Sequence, residues 1–259
     1  LVSQYASFRR VIQAPSPPPP IADFMTKSPS AWLDLMWGFL WPALSWGAFT
    51  WAFAASDRWF LQVFSSTESV GRYLVLYQLG YYPVSLLAGL VQQWVYPILF
   101  AQAGDGTNPL HNQQVIQSTH KWLFLTAAAV VVAVLCASFG HGLVFQCLAA
   151  AKYREVSPWL PGMVLASGLF ALGQLATLPL VATVGTRSLA RCKIGSSCLG
   201  LLLNGIGAWQ GGVAGLVVAQ ICFSATYVLW TLLLLAQASR QQRSSIELSE
   251  SASAERQAA

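Results

Sequence analysis

The chain has 259 residues, of which 55% are hydrophobic and only 9% are charged, and its formal net charge is +5. A soluble domain usually carries about 25% charged residues, which keep its surface hydrated. This scarcity of charge, with a mean hydropathy of +0.53, argues against a soluble domain and indicates an integral membrane protein. The positive charge does not require a nucleic-acid partner, because a bias of basic residues towards one membrane face accounts for it.

Residues 1–31 are predicted to form a cytoplasmic, proline-rich linker. The run Ala14–Pro20 reads APSPPPP, and proline both lacks a backbone donor and clashes with the preceding helical turn. This run therefore favours an extended, polyproline-like conformation. A plain spacer is the simpler interpretation, and a ligand for an SH3-like module is the alternative.

Residues 32–236 contain six apolar segments that are each long enough to cross a bilayer. A helix rises about 1.5 Å per residue, so about 20 residues cover a hydrocarbon core of about 30 Å. The runs are continuous rather than alternating, which predicts helices and not barrel strands. The six predicted spans are Leu35–Ala54, Leu74–Phe100, Trp122–Phe139, Trp159–Ala182, Leu189–Gly207 and Gly212–Leu235. The predicted fold is therefore an all-α integral membrane protein with six transmembrane helices in one bundle.

After the last span, residues 237–259 form a polar tail rich in Ser, Glu, Gln and Ala. Such a composition has too few apolar residues to form a core, so the tail is predicted to be disordered. It follows an even number of spans. It is therefore expected on the same side of the membrane as the linker.

The distribution of Lys and Arg predicts the orientation, because basic residues near span ends resist translocation. With six spans, ten basic residues fall on one side and four on the other. The ten are Arg9, Arg10, Lys27, Lys121, Arg187, Arg191, Lys193, Arg240, Arg243 and Arg256, and the four are Arg58, Arg72, Lys152 and Arg154. Both termini are therefore predicted to be cytoplasmic, in a multi-pass protein of the inner or plasma membrane.

The sequence contains no recognisable catalytic or metal-binding motif. His111, His120 and His141 are predicted to lie in loops, and none has a Cys, Asp or Glu at a metal-ligand spacing. The five cysteines form no C-x-x-C pair, and a free thiol near a span behaves as a small hydrophobe. We therefore expect neither an enzyme nor a bound cofactor or metal.

Amides are the main polar groups at membrane depth. They are Gln78, Gln92, Gln93, Gln174, Asn204 and Gln220. An unpaired polar group in hydrocarbon costs free energy, so each is expected to face a partner or a hydrated cavity. Hydrogen bonding between helices explains them as well as a transport pathway does. Pro97 and Pro179, inside two spans, and the small residues Gly211 and Gly215 indicate kinked, closely packed helices.

Three stretches carry a resemblance to a known family. Asp57-Arg58 stands at the outer end of the first span, and Gly71-Arg72-Tyr73 precedes the second, which ends near Pro97. The run VGTRSLARCKIGSSCLGLLLNGIGAWQGGVAGLVVAQ, residues 184–220, adds a Gly-Thr-Arg turn, Asn204 and a small-residue helix entry. The chain resembles, from Trp32 to Ala236, the polysaccharide or O-antigen flippases of the MATE-like multidrug/oligosaccharidyl-lipid/polysaccharide superfamily.

The resemblance implies the carboxy-terminal half of a twelve-helix transporter, whose partner is an amino-terminal six-helix bundle. It also implies that a lipid-linked oligosaccharide, a precursor of surface polysaccharide or lipopolysaccharide in the cell envelope, is flipped across the cytoplasmic membrane by alternating access. The expected partners are this lipid and the membrane lipids, without nucleic acid. The pyrophosphate of such a lipid would need cationic groups in the transport cavity. Arginine suits it because the planar guanidinium donates two hydrogen bonds at once.

The candidate residues of the substrate pathway are Asp57, Arg58, Arg72, Gln78, Gln92, Gln174, Arg187, Arg191 and Asn204. For each arginine, a role as a membrane-boundary residue is the alternative. Three other functions stay open: an ion-coupled drug or cation antiporter of the same superfamily, a structural or assembly membrane protein, and an integral transferase. An acidic residue deep in a span would favour the antiporter.

Overall fold

The computed structural model describes the backbone of residues 29–103, 109–183 and 186–258, and the side chains mainly of residues 47–99, 114–180 and 192–240. All elements in these ranges are helical. They are α1 (Pro29–Phe64), α2 (Thr67–Leu76), a π-helical segment (Tyr77–Tyr81), α3 (Tyr82–Ala103), α4 (Pro109–Leu148), a 3-10 segment (Ala151–Trp159), α5 (Leu160–Thr183) and α6 (Thr186–Ala258). The predicted linker lies almost wholly outside the described residues.

Four helical stretches are long and apolar enough to cross a membrane. They are Thr67–Leu99, Gln114–Leu148, Ala151–Leu180 and Cys192–Arg240. The predicted all-helical fold is confirmed, and these four stretches indicate a membrane protein. The count of six spans is not confirmed. The predicted span Leu35–Ala54 lies within α1, but about half of its side chains are outside the described part of the chain.

Helix α6 contains the two last predicted spans, and it breaks at Gly212, the first residue of the last span. This residue has φ 53° and ψ −126°, a left-handed conformation that favours glycine because it has no Cβ. Gly207 and Gly215 would be about 12 Å apart along an unbroken helix. Their backbones are instead in contact, so that a methyl group at Gly215 would overlap the carbonyl oxygen of Gly207. The chain therefore folds back at Gly212, and we call residues 186–211 and 213–258 the first and second arms of α6.

Helix α5 lies at the centre of the bundle. It contacts α3, α4, α6, the π-helical segment and the 3-10 segment. Two glycines allow its close approaches: Gly168 lies against Val130 of α4, and Gly173 lies against Tyr227 of α6. A side chain at either position would force its neighbour to move, so these contacts depend on the absence of a Cβ.

The largest buried cluster joins the end of α1 to α2, α4, α5 and α6. It includes Leu61, Tyr73, Leu76, Phe145 and Met163. The outer face of the bundle is apolar as well, with large side chains such as those of α3 and α4 left exposed. An apolar exterior around a packed interior is expected of a bundle surrounded by lipid, because lipid tails are as apolar as the core.

The structure differs from two further expectations. The three histidines lie in α4 rather than in loops, because the helix extends well beyond the apolar run in both directions. Helix α6 continues to Ala258, through the tail whose composition predicts disorder. The division into linker, bundle and tail stays a prediction.

Candidate functional site

Asp57 lies near the end of α1 and is buried, with only 2% of its surface exposed. The Tyr73 hydroxyl donates a hydrogen bond of 2.8 Å to its Oδ2, and the backbone N–H of Arg58 donates one of 2.7 Å to its Oδ1. Each carboxylate oxygen therefore has a donor. Asp57 lies three residues beyond the predicted span Leu35–Ala54. Burial raises the pKa of Asp57 above its ordinary value, and the bonds from Tyr73 and Arg58 act to lower it.

A row of tyrosines runs from α2 into the π-helical segment beside this carboxylate. The ring centroids of Tyr73 and Tyr77 are 6.1 Å apart, and those of Tyr77 and Tyr81 are 4.7 Å apart in a stacked arrangement. Arg58 is exposed, and its guanidinium carbon lies 5.8 Å from the centroid of the Tyr77 ring. A guanidinium at this distance from a ring is attracted by its electron-rich face.

The π-helical segment is supported by α5. A π-helical turn holds one more residue than an α-helical turn, and such turns are frequent at functional sites. The buried hydroxyl of Ser167 donates a hydrogen bond of 2.8 Å to the carbonyl oxygen of Tyr81. Gly80 lies directly against Leu160 and Met163. This bond and this close contact join the π-helical segment to α5.

Asn204 joins the first arm of α6 to α1. It is fully buried, and its Nδ2 donates a hydrogen bond of 2.9 Å to the hydroxyl oxygen of Ser56. That hydroxyl in turn donates a bond of 2.7 Å to the carbonyl oxygen of Phe53. The Oδ1 of Asn204 has no hydrogen-bond partner within the described residues, and an unsatisfied buried acceptor costs about 1–3 kcal/mol. The buried polar pair Ser56 and Asp57 thus contacts both α6 and α2.

Arg72 lies in α2, one residue before Tyr73, and forms two ion pairs. Its guanidinium is 3.0 Å from Oε1 of Glu68 and 2.7 Å from Oε2 of Glu155. The first bond is within α2, and the second joins α2 to the 3-10 segment. Arg72 thus bridges α2 and the 3-10 segment, and its charge is already paired with two carboxylates.

The glutamines lie apart from this cluster. Gln78 is exposed within the π-helical segment. Gln92 lines a mostly apolar cavity of about 260 Å³ between α3, α4 and α5. Gln174 lines a second cavity, of about 50 Å³, between α1, α5 and α6. The side chains of Arg187 and Arg191 are outside the described residues.

The structure therefore brings together Asp57, Arg58 and Asn204 among the predicted residues, and it adds Ser56 and the tyrosines. Sequence reasoning missed Ser56, Tyr73, Tyr77 and Lys193 as members of polar sites. Two adjacent polar residues in an apolar helix, and tyrosines spaced four residues apart, are signals that point to the first three. Lys193 lines the smaller cavity together with Gln174, whereas its sequence position predicts only a basic residue at a span end.

No group of three histidine, cysteine or acidic side chains that could hold a metal ion occurs within the described ranges. Comparisons with protein-family models, with curated proteins and with solved structures find no match to this chain.

Proposed function

We propose that this protein is one bundle of a flippase that exports a lipid-linked oligosaccharide across the cytoplasmic membrane. The observation that carries the proposal is the position of Arg58. Its guanidinium is exposed beside a row of tyrosines, while the adjacent Asp57 is buried and anchored to Tyr73. An exposed guanidinium can donate two parallel hydrogen bonds to a phosphate. Tyr73 and Tyr81 are buried, and the half-buried ring of Tyr77 offers an apolar face with a polar end to a sugar.

The proposal includes six membrane passages with both termini in the cytoplasm. The break at Gly212 divides α6 into two arms, and the backbone contact between Gly207 and Gly215 fits a hairpin of two antiparallel spans. With α1, the α2–α3 segment, α4 and α5, the two arms make six passages. This is the number in one half of the family that the chain resembles. An opposing bundle completes the cavity in which alternating access takes place.

A second candidate function is an ion-coupled antiporter of the same fold. Its specific support is Asp57, because a buried carboxylate can take up and release a proton as its surroundings change. The two candidates use the same residue differently. In the flippase Asp57 positions the helix end that carries Arg58, whereas in the antiporter Asp57 itself titrates during transport.

Depletion of the protein in cells that carry it tests the proposal. The flippase predicts that lipid-linked oligosaccharide accumulates in lipid extracts while surface glycan falls, and that re-expression of the wild-type chain reverses both. An antiporter predicts unchanged glycan and lost proton-driven efflux of drugs or cations. A structural protein predicts loss of envelope integrity without accumulation of the lipid. Normal levels of both the lipid intermediate and the surface glycan would contradict the flippase.

A further inference from the structure

We propose that the small cavity between α1, α5 and the two arms of α6 binds a monatomic anion of the halide class. Its polar lining comes from four chain segments: Thr50 of α1, Gln174 of α5, Lys193, Ser196 and Ser197 of the first arm, and Tyr227 of the second arm. Three phenylalanine rings complete the wall. This site is separate from the Asp57 cluster, and the inference does not depend on the transport function.

The chemistry of the lining suits an anion. Lys193 is the charged residue among the side chains that line the cavity, and the others are neutral. Lysine offers three donors and no acceptor, and the hydroxyl and amide groups can each donate a hydrogen bond as well. Ser197 and Tyr227 are buried, and the Tyr227 hydroxyl has no hydrogen-bond partner among the described residues. Donors around a positive charge in an otherwise aromatic wall stabilise a negative ion more strongly than they do in water.

The size of the cavity restricts the ligand. About 50 Å³ holds a few water molecules, since each requires about 10–15 Å³ of such space. A chloride or bromide ion fits this volume, whereas an oligosaccharide does not. The anion would contact helices α1 and α5 and both arms of α6, so its binding would stabilise the arrangement of those four segments.

Thermal unfolding of the full chain in detergent tests the site, with chloride replaced by gluconate at constant ionic strength. A ligand that binds only the folded state raises the Tm as its concentration rises. We expect a rise in Tm that grows with the logarithm of the chloride concentration above the Kd and reaches about 5–10 °C when chloride exceeds its Kd 100-fold. Lys193→Met should lose this response. Lys121→Met, at an exposed lysine of α4, should keep it and serves as the matched control.

A milder variant keeps the test decisive if Lys193→Met does not fold. Ser197→Ala retains the lysine and removes one hydroxyl, so it should raise the chloride concentration needed for a given rise in Tm by about fivefold. Crystals grown in bromide should show an anomalous peak inside this cavity. The proposal is overturned if chloride and gluconate give the same Tm for the wild type, if Ser197→Ala leaves the chloride response unchanged, or if the bromide peak is absent from the cavity.

Discussion

The hydroxyl of Tyr73 donates a hydrogen bond of 2.8 Å to Oδ2 of Asp57, and both side chains are buried. This bond joins α2 to the end of α1 across the short turn between them. A buried carboxylate without donors is unfavourable, because its charge loses the hydration that water would provide. The hydrogen bond from Tyr73 therefore stabilises the buried carboxylate of Asp57. Through this bond Asp57 holds in place the helix end that carries Arg58.

Tyr73→Phe should lower the free energy of unfolding by about 1–3 kcal/mol, because it leaves a buried acceptor unsatisfied. Thermal unfolding in detergent measures the change. In the double variant Asp57→Ala with Tyr73→Phe, the loss of stability should be smaller than the sum of the two single losses, since each single change already breaks the same bond. Tyr82→Phe, at an exposed tyrosine nearby, should be nearly silent. Additive costs in the double variant would show that the two side chains do not act as a pair.

Arg58 should act through its fork-shaped guanidinium rather than through charge alone. Arg58→Lys keeps the charge but loses the bidentate geometry, so it should give partial export, and Arg58→Ala should nearly abolish export. The measurement is surface glycan divided by the amount of membrane-inserted protein. Gln62→Ala, at an exposed residue one turn further along α1, is the control. Wild-type export by Arg58→Ala would restrict Arg58 to a membrane-boundary role, and a matching fall in protein abundance would make it structural.

The hairpin in α6 should depend on the contact between Gly207 and Gly215. Gly215→Ala introduces a methyl group where the carbonyl of Gly207 lies, so the arms must separate and the protein should lose about 1–3 kcal/mol of stability. Gly211→Ala has open space around the added methyl, so it should be close to neutral. Thermal unfolding of the two variants in the same detergent compares them directly. Equal stability of the two would mean that the arms do not require this close contact.

The orientation is a separate prediction, which rests on the ten-to-four distribution of basic residues. A reporter fused after Ala259 should behave as cytoplasmic, and one inserted at Ser66, in the exposed turn before α2, should behave as external. Reporter activity and accessibility to an impermeant reagent measure this. Reversed signals at the two positions would overturn the orientation. Signals on the same side would overturn the odd number of passages, five, that is predicted between Ser66 and Ala259.

The helical character of the chain could be predicted because it depends on local sequence. Long apolar runs without charge are sufficient to indicate spanning helices, and Pro97 and Pro179 lie inside α3 and α5 as their positions in the spans predict. The exact ends of the helices are harder to predict from the sequence. The predicted span in α4 ends at Phe139, whereas the helix continues to Leu148, because the two glycines and the histidine after Phe139 interrupt the apolar pattern without ending the helix.

The interior contacts could not be predicted in this way. Asn204 and Ser56 are 148 positions apart, and Tyr73 and Asp57 are 16 apart, so their pairing follows from how helices pack rather than from any local pattern. The cavity beside Lys193 has the same origin, because four segments contribute to its lining. Composition indicates that polar groups at depth have partners, but it does not identify which partners they are.

Transbilayer movement of the proposed substrate is the most direct measurement of the flippase function. Vesicles are prepared from cells with the protein and from cells depleted of it, and a radiolabelled lipid-linked oligosaccharide is introduced into the cytoplasmic leaflet. Accessibility of its sugars to an impermeant glycosidase on the opposite face is followed with time. The flippase predicts rapid exposure of the sugars only in vesicles that contain the protein. Equal rates of exposure with and without the protein would contradict it.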